Sequence, residues 1–459
     1  MTRKVYVVTD LGSGDGGKGG VVHAIATAQR AHTIIKRGGA QGSHGVRTTS
    51  GKSFDFSQWG CGTFDGICTH LSHQMVVSPV GLLNEADALT KTGGVGDPFA
   101  LLTVDETALV TTPFHGIASR LFELALGNAP RGTVGTGVGQ AYRDTKRYPE
   151  LALTVKDLTR PDLYDQLWEV RENIRGYVWP VLEDAEFLHA DSADVRHELE
   201  LLGDDGFLEY TYQRFREAAY RTTIVSHDYL GDFILPRPGV AVVEASHGVL
   251  TDRVYGFSPH TSAIRTLPHI TRRLLDDAGY NGQIVNLGVT RAYAVRHGAG
   301  PLPTANPNLA PHLIPESAES DNRYQGAVRA GALDGVLLRY AINVCGEADF
   351  FDGLAVTCFD QVVACGEWAT SNRYHLPRQS PAFTLEGELQ VATAPSTETQ
   401  ALLTAALEEV TPHITRRPIS SALTPDQQYD LCAAQVSGMT GIAVRMVSLG
   451  PTEHDKFLK

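Results

Sequence analysis

The apolar pattern begins with a β-branched run, Val5, Val7, Val8 and Thr9, which predicts a buried strand. Glycines at 12, 14, 16, 17, 19 and 20 then turn the chain into an apolar helix through Ala24. Similar apolar runs bounded by turn residues predict strands at Thr33–Lys36, Met75–Pro79, Ala100–Val104, from Val240, from Leu354 to Asp360 and at Ile442–Val447. Between Thr159 and about Phe233 the period becomes helical. Leu163, Leu167, Val170 and Ile174 share one face, and Pro161 sits near the start, where a proline is tolerated. A further helix passes through Val336–Ala341, and the turn-rich stretch 374–400 predicts a hairpin excursion. With no internal repeat, low-complexity tract or linker, the pattern predicts one large α/β domain over residues 1–459 with a helical insertion at about 155–235.

Composition narrows the class. The 459 residues are 42% hydrophobic and 20% charged, with no apolar run of 18 or more, so a soluble, cytoplasmic protein is expected and membrane association is not. A net charge of −13 argues against nucleic acid as the main partner, so any basic site must be local. The spacing of Cys61, Cys68, His70 and His73 is not that of a zinc ligand set, and the six cysteines are expected to be buried structural thiols.

Candidate chemistry lies in three glycine-rich loops. The first is a phosphate cradle, in which glycine lets backbone N–H groups approach an anion at a helix N-terminus and Lys18 adds a point charge. Gly12 to Lys18 fits the GxxxxGK frame, but Gly19 stands where a Mg²⁺-binding Ser or Thr is required. Asp15, a carboxylate within an anion cradle, must bind a cation or handle a proton. The second loop, His32–Val46, carries Gln41 and His44; the third, Pro130–Asp144, carries Thr133 and Thr136. Glu244, His247 and Gly248 follow another strand at the carboxyl edge, where open α/β sheets bind ligands.

In order along the chain, Gly14-Asp15-Gly16-Gly17-Lys18-Gly19, GGAQGSHGV, GTVGTGVGQAYRD, VVEASHG with SPHTS, GVTRAYAVRHGAGPLPT, AGALD, LAVTCFD and VSLGP resemble the loops of the adenylosuccinate synthetase family. The resemblance implies a P-loop-like fold, with a large mostly parallel central sheet flanked by helices and with helical and hairpin excursions. It implies a homodimer with small-molecule substrates, and a ligase that couples aspartate to a 6-oxopurine nucleotide through a 6-phosphoryl intermediate, using GTP (or ATP) and Mg²⁺. By resemblance Asp15 and His44 are catalytic, and Asp15 and Gly42 hold the metal. Gly14, Gly16, Gly17, Lys18, Gly19, Asp360, Ser448 and Gly450 bind the NTP. Ser13, Gln41, Thr133, Val134, Arg147, His247 and Thr261 bind the purine nucleotide, and Thr304, Arg323 and Arg329 bind the amino acid.

The departures from the family pattern cluster around ligands. Ser13 replaces a tryptophan, Gln41 an asparagine and His247 a glutamine. Val134 and Thr136 replace a threonine and an arginine. Cys358-Phe359-Asp360 lacks the family's base-reading lysine, and the amino-acid loop has become Ser320–Asp334. These changes predict an altered purine, nucleotide or amine substrate, as in the branch that makes a 2-aminoadenine precursor from a guanine nucleotide. A catalytically reduced nucleotide-binding protein and an unrelated P-loop NTPase are the alternatives.

Overall fold

The computed structural model describes residues 3–127, 131–184, 192–309, 313, 324–377 and 379–459. Eleven strands form the central sheet: β1 (Arg3–Asp10), β2 (Thr33–Gly39), β3 (Cys68–Val77), β4 (Leu102–Asp105), β5 (Leu109–Val110), β6 (Thr223–Val225), β7 (Gly239–Gly248), β8 (Gln283–Arg291), β9 (Gly353–Thr357), β10 (Val444–Ser448) and β11 (Lys456–Leu458). Their order is β11-β10-β9-β8-β1-β7-β2-β3-β4-β6, with β5 beside β3. Every pairing is parallel except that of β10 with β11. Parallel strands covered on both faces read as continuous apolar runs, which is why Val5–Thr9 and Val240–Val243 were legible. β1 lies between β8 and β7, so the loop after it opens at the middle of the carboxyl edge.

Helices α1 (Lys18–Ala28), α2 (Pro79–Lys91), α3 (Pro113–Ala125), α4 (Val138–Arg147), α5 (Leu163–Asp184), α6 (Ala193–Gly203) and α7 (Asp205–Arg221) follow in order. The four apolar positions predicted on α5 are all buried, in one cluster with Phe114 and Leu121 of α3 and Phe215 of α7. The helical run ends at Arg221, short of the expected Phe233, because the β-branched Thr223, Ile224 and Val225 rejoin the sheet as β6.

Within the turn-rich stretch 374–400 a short antiparallel hairpin forms: Phe383 bridges Leu389, the Thr384 N–H donates to the Glu388 carbonyl at 2.8 Å and the Gln390 N–H to the Ala382 carbonyl at 2.9 Å. The longer antiparallel pair, Glu367–His375 with Thr411–Pro418, brackets this excursion and helix Thr397–Glu409. All six cysteines are free, as expected, but only Cys61, Cys345 and Cys432 are buried; Cys358 and Cys365 are half-buried and Cys68 is exposed. No helix among the described residues is long and apolar enough to cross a membrane.

Candidate active site

The first loop is folded around Asp10, which the sequence reading passed over. This buried carboxylate, at the end of β1, accepts from the Gly12 N–H (2.7 Å), the Gly16 N–H (2.8 Å) and Lys18 Nζ (2.8 Å). Lys18 also donates to the His247 carbonyl at 3.0 Å, so its charge lies beneath the loop, paired with Asp10. Gly14 and Gly17 take φ of 100° and 80°, conformations that only glycine adopts freely. A Cβ at Gly19 would lie 2.5 Å from the Gly45 carbonyl oxygen. The missing Ser or Thr is thereby explained, since the second loop packs on that spot. Helix α1 starts at Lys18 with no side-chain cap, which leaves its first N–H groups to an anion.

Asp15 sits at the rim of this loop, itself in the left-handed region at φ 55°. Its Oδ2 lies 3.1 Å from His297 Nε2, and the Arg291 guanidinium donates to its backbone carbonyl. Burial pushes its pKa up, but His297, Arg291 and Lys18 together outweigh that and hold it at about 2. Oδ1 has no partner among the described residues. That free carboxylate oxygen and the nearby loop carbonyls are the hard oxygen donors Mg²⁺ prefers, so the site fits the metal that the family uses. Gly42 has no room for a side chain, since a Cβ would lie 2.7 Å from Ser246 Cβ.

His44 is buried at the start of a short hairpin, His44–Arg47 with Ser53–Phe56. Its Nδ1 lies 2.6 Å from Glu244 Oε1, which also accepts from Lys36 Nζ at 2.7 Å; Glu244 Oε2 accepts from the Cys61 N–H at 3.0 Å. Burial would raise Glu244, but Lys36 and His44 keep it well below the ordinary carboxylate range. Burial lowers the His44 pKa, and Glu244 opposes the drop. A proton on Nδ1 leaves Nε2 as an acceptor while the ring is neutral. His44 therefore donates from Nε2 only as the imidazolium that Glu244 stabilises. Lys36 is the second residue the sequence reading missed; it points inward from β2 onto the acid that β7 supplies.

Beside these loops lies a cavity of about 790 Å³. Ser13, Asp15, Gln41, Thr133, Val134, Arg147, His247 and Thr261, all predicted, line it together. Arg131, Arg143 and Arg296 join Arg147 there, giving the acidic chain its local cationic patch. The guanidinium of Arg147 lies over the rings of Tyr148 and Tyr177, 5.2 and 5.8 Å from their centroids. Ser13 Oγ is 3.3 Å from Arg296 Nη1. Gln41 Nε2 and His247 Nε2 meet at 3.1 Å, with His247 at φ 66°. Gln41 Oε1 and the Nδ1 atoms of His247, His260 and His297 are all buried without a partner among the described residues. Burial and Lys18 depress His247 to about 4, so its ring is neutral.

Those of the remaining predicted residues that the structure describes lie outside this cavity. Asp360 opens the short helix Phe359–Cys365 after β9, where burial raises its pKa. Ser448 Oγ and Lys456 Nζ both donate to the Gly450 carbonyl, at 2.9 and 2.6 Å. Lys456 also feels the charge of Asp360, so a cation reaches this region from β11 rather than from position 358. Thr304 Oγ1 donates to the Ala332 carbonyl at 2.8 Å. Arg329 donates to the carbonyls of Gly298 (3.0 Å) and Gly300 (2.7 Å), which leaves Nη1 without a partner among the described residues. Arg323 lies outside the described residues.

A glycine cradle at a helix start, an acid on its rim and a cationic cavity beside it define a nucleotide-handling enzyme of the α/β class. The adenylosuccinate synthetase family model matches residues 7–457, and the chain belongs to that family of C–N bond-forming ligases. It is 26% identical over 367 residues to the adenylosuccinate synthetase of Thermoanaerobacter sp. (strain X514), covering 76% of each chain. Against that of Haloarcula marismortui it is 27% identical over 428 residues, 86% of this chain and 85% of the relative. Among solved structures, fully ligated adenylosuccinate synthetase from Plasmodium falciparum superimposes with a TM-score of 0.76 at 16% identity, covering 99% of both chains. Cyanophage S-2L succinoaminodeoxyadenylate synthetase, bound to dGMP and to dATP as an energy donor, gives 0.56 at 14% identity, covering 100% of this chain and 96% of that one. Both structures share the fold.

Proposed function

We propose that this chain uses GTP or ATP to couple aspartate, or a related amine, to the 6-position of a 6-oxopurine nucleotide through a 6-phosphoryl intermediate. We also propose that its best acceptor carries a further polar substituent, as GMP and dGMP do. The observation that carries this reading is the Gln41–His247 pair. If the Gln41 amide donates to His247 Nε2, the neutral imidazole carries its proton on Nδ1. The wall then offers one unpaired acceptor, Gln41 Oε1, and one unpaired donor, His247 Nδ1–H. A 2-amino-6-oxopurine presents the complement: its 6-oxygen accepts from His247 Nδ1–H and its 2-amino N–H donates to Gln41 Oε1, which leaves the N1–H for Asp15, whereas a purine without the 2-amino group leaves Gln41 Oε1 unpaired. A substrate lacking these groups leaves buried atoms unpaired, at ~1–3 kcal/mol each.

In this reaction Asp15, ionised at any working pH, receives the N1 proton as the 6-oxygen attacks the γ-phosphorus. His44, charged and held by Glu244, donates to the transferring phosphoryl oxygens, while the loop N–H groups share the charge. Asp15 and the Gly42 backbone would hold Mg²⁺, which would supply charge neutralisation on the phosphates. Asp360 accepts from the donor base, with Lys456 nearby. The free Nη1 of Arg329, together with Arg323 and Thr304, receives the amino-acid carboxylates. The cyanophage relative, with dGMP and dATP in its site, supports both the guanine-type acceptor and a relaxed donor preference.

A second reading, a nucleotide-binding protein without amine chemistry, draws on the commitment of Thr304 and most of Arg329 to backbone carbonyls. One assay separates the two. IMP, GMP and dGMP are each tested with GTP or ATP, with and without aspartate, and scored by phosphate release and product mass. Aspartate-dependent release with an adduct of the expected mass supports the ligase, and an IMP preference of ~100-fold or more, about 2.7 kcal/mol, defeats the acceptor assignment.

A further inference from the structure

Away from the cavity, the outer strands bring together residues that serve none of the chemistry above. His73 comes from β3, Asp105 ends β4, and His227 follows β6. None of the three lines the cavity. Their ligand atoms all lie within 4.8 Å of one another. His227 Nδ1 is 3.0 Å from Asp105 Oδ2, and the rings of His73 and His227 meet edge to face at 4.8 Å between centroids. Asp105 is fixed from behind: its Oδ1 accepts from the Thr107 N–H (2.8 Å) and hydroxyl (2.6 Å), which turns Oδ2 toward the histidines. Thr107 Oγ1 also lies 3.3 Å from His227 Nδ1. A carboxylate oriented this way by neighbouring donors is the usual outer-shell arrangement of a metal ligand.

A fourth polar group adds to the picture. His70, two strand positions before Ser72 and fully buried, bonds Thr103 Oγ1 through Nδ1 at 3.0 Å and keeps Nε2 without a partner. It feels the charges of both Asp105 and His73.

We propose that His73, Asp105 and His227 bind a borderline divalent cation of the Zn²⁺ class, distinct from the Mg²⁺ of phosphoryl transfer. Two imidazoles and one carboxylate suit Zn²⁺, Co²⁺ or Ni²⁺, whereas Mg²⁺ prefers oxygen ligands throughout. In a tetrahedral zinc site with bonds of about 2.0 Å, ligand atoms stand about 3.3 Å apart, so the present spacing closes by about 1.5 Å at most. His227 is half exposed, and water completes the shell from its side. The cation ties three neighbouring strands together where the helical excursion rejoins the sheet. The other cluster of comparable donors, His44, Cys61 and Glu244, is a poor competitor because Lys36 already neutralises Glu244.

The test uses the full chain stripped with EDTA and dialysed against ZnCl₂ at pH 7.5 without nucleotide, with bound metal read by elemental mass spectrometry. CoCl₂ absorption reports the geometry. One equivalent of Zn²⁺ is expected in the wild type, weakened ~10-fold or more in His227→Ala and in Asp105→Asn and unchanged in His44→Asn. His227 is exposed enough that its removal spares the fold, and a circular dichroism spectrum confirms this. Absence of stoichiometric Zn²⁺ in the wild type, or undiminished binding in folded His227→Ala, overturns the proposal.

Discussion

In the proposed function the site has a phosphoryl end and a purine-facing wall, and the two are built on opposite terms. At the phosphoryl end the buried charges are already paired. Asp10 satisfies two N–H groups and Lys18, and Glu244 satisfies Lys36, His44 and the Cys61 N–H. On the wall, Gln41, His247, His260 and His297 each hold a buried atom with nothing to bond. The first arrangement fixes geometry before any ligand arrives, which is what transition-state stabilisation requires. The second stores an unmet demand that only a ligand with matching groups removes, which is what discrimination requires. Substitutions at one end should therefore cost catalysis or stability, and at the other should redirect specificity while leaving the fold alone.

The sharpest test of the paired end is Asp15→Asn, which removes a proton acceptor and little volume. Turnover falls by at least ~10²-fold, and nucleotide affinity measured by calorimetry stays within a few-fold of wild type. Turnover near the wild-type rate would remove Asp15 from the mechanism. Next comes Lys36→Met. It strips the main counter-charge from a fully buried Glu244, and chemical denaturation should show a loss of ~3–5 kcal/mol. A much smaller loss would mean that Glu244 takes up a proton cheaply and that the cluster is not a preformed ion pair.

At the unpaired end, Gln41→Asn combined with His247→Gln restores the family pattern. The ratio of kcat/KM for GMP over IMP should fall by ~10- to 100-fold, about 1–3 kcal/mol, with Tm unchanged or raised. An unchanged ratio would break the contrast between the two regions.

The pH profile probes His44. Burial already disfavours its cation, so the charged form is lost as pH rises through a pKa below the ordinary value of about 6.5. On that basis kcat/KM declines with rising pH from that point, and the decline disappears in His44→Asn. The smallest effect is expected at Asp360→Ala, where GTP loses ~1 kcal/mol of preference over ATP in competition binding. No change would show that this helix start does not read the base.

The layout of the site was legible because glycines and strand ends announce themselves. Six glycines after Val5–Thr9, and the glycine-rich loops carrying Gln41 and Thr133, mark parts of the chain that line the cavity or adjoin it. What stayed hidden were long-range partners. Lys36 and Glu244 are 208 positions apart and meet only because β2 pairs with β7. The pairing of Lys18 with Asp10 was equally unreadable, since a lysine in a glycine frame has the same letters whether it reaches over the loop or under it. At 374–400 the turn residues marked the short hairpin over 382–390, but they could not show that Glu367–His375 pairs with Thr411–Pro418, because turns mark where a chain bends and not which strands later pair. Likewise β6 is three residues long, too short to show a period before helix α7 claims it.

Thr357, the last residue of β9, donates its hydroxyl to the Gly16 carbonyl at 2.7 Å, and its side chain fills the space a Cβ at Gly17 would need. One residue further on, the chain begins the turn into the helix that carries Asp360. A designer who wishes to exchange the donor nucleotide therefore has a fixed left margin. Under the proposed role of Asp360, grafts that start at Cys358 change the base-reading helix alone, whereas any that begin one position earlier also recast the mould that shapes the first glycine loop.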